Sequence, residues 1–106
     1  MPLTVDFKER VIARIQRDPE YKKEMLNGAV ELLLNGEVDA GKSILRDYIN
    51  GTIGFDDLAE RTGHKKESLM RMLSASGNPT AANMFAMIQQ AQLATGVHVV
   101  TNTVLE

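Results

Sequence analysis

The chain has no cysteine. Disulfide staples and Cys-ligated zinc are therefore excluded, and a reducing compartment is compatible with the composition. No apolar run approaches the ~20 residues of a membrane span. The opening residues, MPLTVDFKERV, contain no apolar signal core, so neither membrane insertion nor export is expected, and a cytoplasmic location is. An excess of positive charge is missing too. Lys and Arg number 12 against 14 Asp and Glu, for a net charge of −2, so a basic coat for nucleic acid is absent. There is no internal repeat, no low-complexity segment and no clear linker. Between Arg71 and Glu106 there is no Asp, Glu, Lys or Arg. Such a long uncharged stretch is unusual for solvated surface and points to a partner.

What is present suffices for one domain. The 106 residues are 43% hydrophobic, enough for a core without disulfides or metal. Leu3-Thr4-Val5 reads as a short strand. Asp6 then reads as an N-cap, with Glu9 completing a capping box. Phe7, Val11, Ile12 and Ile15 share one helical stripe over 6–17. Asp18-Pro19 is a second start signal. It opens a helix over 19–34 whose apolar residues are Tyr21, Met25, Leu26, Ala29, Val30, Leu32 and Leu33. A third helix runs from Glu37 or Asp39 to Ile49, with Gly41, Ile44, Leu45, Tyr48 and Ile49 inward. Phe55–Thr62 forms a fourth and 66–74 a fifth. Asn78-Pro79-Thr80 feeds a sixth over 81–94, expected to bury Met84, Phe85, Met87, Ile88 and Ala91. The β-branched run Val97–Val104 predicts a strand. Its backbone then needs a partner: Leu3-Thr4-Val5, its own copy in a dimer, or another protein, of which the last two fit best.

Gly36-Glu37-Val38-Asp39-Ala40-Gly41-Lys42-Ser43 matches the phosphate-loop pattern G-x-x-x-x-G-K-[ST]. Nucleotide binding would have the loop amides cradle phosphate, Lys42 reach the outer phosphates and Ser43 hold magnesium. Three features oppose it. The chain lacks the βα units of a parallel sheet, no apolar strand ending in Asp follows, and Glu37 and Asp39 would face the phosphates. A helix end at Asn35-Gly36, followed by a new helix start, explains the same residues.

Phe55 to Ser74 organises the rest. Residues 61–71 hold Arg61, Lys65, Lys66 and Arg71 against Glu67. Leu58 and Ala59 form the inner face of the first short helix, and Gly63 suits a turn at positive φ. Leu69 with Met72 or Leu73 anchors the second. Lys65, Lys66, Ser68, Met70, Arg71 and Ser74 remain for its outer face, a face that can lie in the DNA major groove.

The run Leu58-Ala59-Glu60-Arg61-Thr62-Gly63, then Lys66-Glu67-Ser68-Leu69-Met70-Arg71-Met72-Leu73-Ser74, then Gly77-Asn78-Pro79-Thr80, resembles the phage-repressor (XRE or Cro-type) helix-turn-helix. Within that group it is most similar to antidote proteins and regulators of bacterial toxin–antitoxin modules. The resemblance spans about 39–96. Two positions depart from the pattern: His64 stands where the family carries an aliphatic residue, and Lys65 where it carries a capping Ser or Thr. The resemblance implies an all-α, lambda-repressor-like domain over 37–106, ending in the strand, with an added helical hairpin over 1–36 packed on it. It implies sequence-specific binding of double-stranded DNA by a homodimer, autoregulation of its own operon, and neutralisation of a toxin protein. A toxin-neutralising interaction module with DNA binding secondary is the alternative.

The implied DNA-contact residues are Lys65, Lys66, Glu67, Ser68, Arg71, Ser74 and Asn78. Arg71 would pair with guanine or phosphate, and the lysines with phosphate. Glu67 has two readings, a cytosine amino group or Arg71 at i,i+4. Met70 either touches a thymine methyl or covers the core.

Other chemistry finds little support. His64 and His98 are far apart and have no cysteine or His-x₃-His beside them, so no metal is expected. Asp56, Asp57 and Glu60 sit at a helix start, where they favour the dipole. No Ser or Thr has an evident His partner. Neither enzymatic activity nor a cofactor is expected.

Overall fold

A computed structural model of the chain describes residues 3–106, with side chains described from Phe7 onward. Six helices follow in order: α1 Leu3–Arg17, α2 Pro19–Leu34, α3 Val38–Gly51, α4 Gly54–Thr62, α5 Lys66–Met72 and α6 Ala81–Thr95. Local chemistry sets several boundaries. The Asp18 carboxylate accepts from the Tyr21 amide at 3.2 Å, with Pro19 at the first position of α2. It thereby satisfies one of the unpaired amides of a helix start. The Thr80 hydroxyl does the same for α6, accepting from the Asn83 amide at 3.1 Å. Gly63 ends α4 in the left-handed region, at φ 76°, where a side chain would be strained.

α3 lies at the centre, packed on α1, α2 and α4, while α4 also meets α5 and α6. Leu26 and Ala29 of α2 share one core with Leu45, Tyr48 and Ile49 of α3, Leu58 of α4, Leu69 of α5 and Met87 and Ala91 of α6. Helices α2 to α6 thus join in a single apolar interior. Three ties hold α1. Ile15 is buried against Gly51 of α3. The Lys8 ammonium donates to both carboxylate oxygens of the buried Asp47, at 2.8 and 2.9 Å. Arg14 also stacks 4.1 Å from the centre of the Tyr21 ring.

The all-α expectation agrees with this architecture, and several finer expectations do not. No strand occurs among the described residues, so the C-terminal β-strand is corrected to an irregular tail. Propensity alone does not make a strand, because its amides and carbonyls need a ladder partner. The partner nearest in sequence logic, Leu3-Thr4-Val5, is instead the first turn of α1. Asp6 therefore lies inside a helix rather than before it, and any capping by its side chain lies outside the described residues. Phe7 is exposed, not part of the inward stripe. Phe85 is likewise exposed, whereas Met84, Met87, Ile88 and Ala91 are buried. No described helix is long and apolar enough to cross a membrane.

Candidate nucleic-acid interface

α4 and α5 are both short, and the three residues Gly63-His64-Lys65 join them. Leu58 faces inward from α4; Leu69, and Leu73 just past α5, do so from the second helix. These three side chains fix which side of α5 is free. Lys65, Lys66, Glu67, Met70 and Arg71 are exposed there, and Ser68 is half-buried. The Lys65 side chain makes no capping bond to the start of α5, as expected when an ammonium replaces a hydroxyl acceptor.

The charges are separated rather than merely clustered. Asp56, Asp57, Glu60 and Glu67 balance Arg61, Lys65, Lys66 and Arg71 within 54–74. Asp56, Asp57 and Glu60 lie on α4 and Lys65, Lys66 and Arg71 at the turn and along α5, while Arg61 in the last turn of α4 and Glu67 in the first turn of α5 depart from that division. Two cations are already engaged: Arg61 Nε contacts Asp57 at 3.0 Å, and Lys66 Nζ contacts Asp56 at 3.3 Å. Lys65 and Arg71 make no ion pair among the described residues. The alternative Glu67–Arg71 pair is not formed.

Beyond α5 the chain folds back against the helix it has just left. Ser74 Oγ donates to the Arg71 carbonyl at 2.7 Å and lies 3.5 Å from Ser76 Oγ. The Ser74 hydroxyl therefore serves the end of α5. Gly77 passes so close that a Cβ there would collide with the carbonyls of Arg71 and Met72. The fold-back leaves a hollow of about 330 Å³ lined by Ser68, Arg71, Met72, Ser76, Gly77 and Asn78. Three of the expected contact residues (Ser68, Arg71 and Asn78) thus come together, and no carboxylate lines the space. Ser76 joins them without a sequence signal of its own.

The residue that locks this fold-back comes from the phosphate-loop match. Lys42 is 2% exposed, on the inner side of α3. Its ammonium donates to the Ser74 carbonyl at 3.0 Å and the Gly77 carbonyl at 2.7 Å, with the exposed Asp39 carboxylate at 3.3 Å. Gly41 beside it lets α2 approach closely, since a Cβ would meet the Leu33 side chain at 2.8 Å. Both residues of the Gly-Lys pair thus have packing roles, and Gly41, Lys42 and Ser43 lie within α3 rather than in a loop. A buried ammonium must be hydrogen-bonded, and here two carbonyls of the fold-back after α5 supply the acceptors. That geometry leaves no free ammonium for a nucleotide.

No protein-family model, no curated protein and no solved structure matches this chain.

Proposed function

We propose that this chain is a sequence-specific DNA-binding regulator, acting as a dimer that represses its own operon. The observation that carries the proposal is the α4–Gly63–α5 unit. It buries Leu58, Leu69 and Leu73 and leaves Lys65, Lys66 and Arg71 on a free helix face. A short, exposed, cationic helix braced by a second one suits the major groove. Arg71 is the side chain to read guanine, with two parallel donors for O6 and N7. Lys65 supplies affinity through phosphate without sequence information. Lys66 does so after exchanging Asp56 for phosphate. The carboxylate-free hollow beside Arg71 and Asn78 suits a backbone phosphate. Because the chain is not basic overall, affinity depends on two such helices engaging half-sites ~34 Å apart.

Footprinting on DNA upstream of the chain's own gene tests the proposal. A symmetric protected site is expected for the native protein, and none for the Lys66→Ala/Arg71→Ala double variant. Equal protection by both proteins would reject α5 as the reading helix.

A second reading, capture of a toxin protein, is favoured by the tail. Val100, Val104 and Leu105 are exposed there, in a stretch of sequence with no Asp, Glu, Lys or Arg before Glu106. Co-purification of a protein encoded next door, lost on removal of residues 97–106, would support it. A complex that survives the deletion would count against the tail as the capture site.

A further inference from the structure

α6 has two apolar sides, and the chain uses one. Met84, Met87, Ile88 and Ala91 face the core. Phe85, Gln89 and Leu93, four residues apart, stack on the opposite side. Phe85 is 63% exposed and Leu93 58%. A solvated helix face ordinarily carries charge. This one has no acidic side chain in its first turn and no basic one in its last, and none in between.

We infer that this stripe seats a second copy of the chain, packed through the same stripe about a two-fold axis. Three features favour a copy over an unrelated protein. The stripe is balanced about Gln89. An antiparallel crossing centred there sets Phe85 of each copy on Leu93 of the other, the reciprocal pattern a two-fold interface requires. Gln89 then meets Gln89, and a carboxamide both donates and accepts, so the two satisfy each other. A Lys or Glu at that position would meet its own charge. The chain carries a net charge of −2, so two copies repel weakly overall, and a neutral seam is where they approach at least cost.

Interface size sets the strength. A standard stable interface removes about 800 Å² from each partner, roughly a ninth of this chain's 6938 Å². One helix about 22 Å long supplies less than that, so the dimer is reversible and concentration-dependent. The inference deepens the DNA-binding proposal and rests on it only for the use made of the dimer. Its test contains no DNA, so a failure of α5 to read bases leaves it standing, and a dimer seated elsewhere overturns it while leaving the DNA-binding proposal intact.

Sedimentation equilibrium over a wide concentration range is the first arm. The mass of the native chain should climb from 11.7 kDa toward twice that value. Phe85→Lys/Leu93→Lys, both at exposed positions, should keep the native circular dichroism and melt. It should weaken association by at least about 100-fold. The second arm uses the absence of cysteine. Gln89→Cys introduces the sole thiol, which on mild oxidation should give a covalent dimer, whereas the exposed control Glu20→Cys should not. A mass fixed at 11.7 kDa at every concentration overturns the inference. So does a dimer indifferent to the double lysine variant, which would put the second copy elsewhere, with the 97–106 tail next in line. Equal cross-linking at positions 89 and 20 overturns it as well.

Discussion

Replacing Lys42 by methionine tests whether the end of α5 is held from within. Methionine keeps an unbranched apolar stem of nearly the same length, with sulfur in place of one methylene, and lacks the ammonium. The native group makes two charge-assisted hydrogen bonds, to the Ser74 and Gly77 carbonyls. Each such bond contributes about 1.5–3 kcal/mol net. Part of that is offset, because the variant no longer buries a charge, a cost of several kcal/mol when unrelieved. A net loss of about 2 kcal/mol follows. For 106 residues, an unfolding entropy of about 2.1 cal/mol/K per residue converts this to a fall in Tm of about 9 °C. The assay is thermal unfolding by circular dichroism, with amide exchange as a local readout. Amides of residues 74–77 should lose protection while those in the middle of α3 keep theirs. Asp39→Ala is the comparison, because that carboxylate is exposed although the ammonium it faces is buried, so the melt should fall by less than in Lys42→Met. An unchanged Tm in Lys42→Met would refute the clamp. So would a Tm of the native chain that rises with magnesium-ATP and no longer does so in the variant, since the ammonium would then serve a nucleotide.

Gly77→Ala should destabilise the chain by about 2–3 kcal/mol, because its Cβ meets backbone carbonyls rather than a yielding side chain; urea titration reads the loss, and DNA affinity should fall with it. Tyr48 gives a pH test. The Thr95 hydroxyl donates to the Ala91 carbonyl at 2.8 Å. That fixes the Tyr48 phenol as donor in its 2.9 Å bond to Thr95. Burial raises the phenol above its ordinary pKa, so the folded chain holds this proton to higher pH than the unfolded one. The resulting stability is complete below about pH 10 and is lost as pH rises through the folded value. In melts at increasing alkaline pH, Tyr48→Phe should show a shallower fall than the native chain. Equal slopes would mean that the phenol is solvated. At neutral pH the same variant should lose about 1 kcal/mol, the contribution of one neutral hydrogen bond.

Much of the fold could be read from local signals. Asp18-Pro19 set the start of α2 and Thr80 that of α6, because capping needs only the residues at hand. Gly63 marked the α4–α5 turn for the same reason. Features that depend on distant contacts were hidden. Lys42 belonged to a pattern with its own strong interpretation, and only the fold brings it to carbonyls 32 and 35 residues away. The tail looked like a strand because β-branched composition is local, whereas a ladder partner is not. Phe85 is an instructive miss. Met84, Met87, Ile88 and Ala91 already complete a helical stripe at i, i+3, i+4 and i+7, and Phe85 falls off it, so periodicity placed it outward while its hydrophobicity suggested the core. Along α5, the exposure of Lys65, Lys66 and Arg71 followed from the spacing of Leu69 and Leu73. The Lys66–Asp56 contact did not, because it spans two helices.

The central claim is that α5 reads bases, with Arg71 as reader and Lys65 as anchor. A base-substitution scan of the protected site tests it most directly, with binding measured at one fixed salt concentration for the native chain, Arg71→Ala and Lys65→Ala. Arg71→Ala should lose about 1–3 kcal/mol of discrimination at one guanine-containing base pair in each half-site and leave the other positions as they were. Lys65→Ala should weaken every sequence alike, with the pattern of preferences unchanged. If Arg71→Ala keeps the full native pattern of preferences and Lys65→Ala the native affinity, α5 does not read the DNA, and the account is contradicted at its centre.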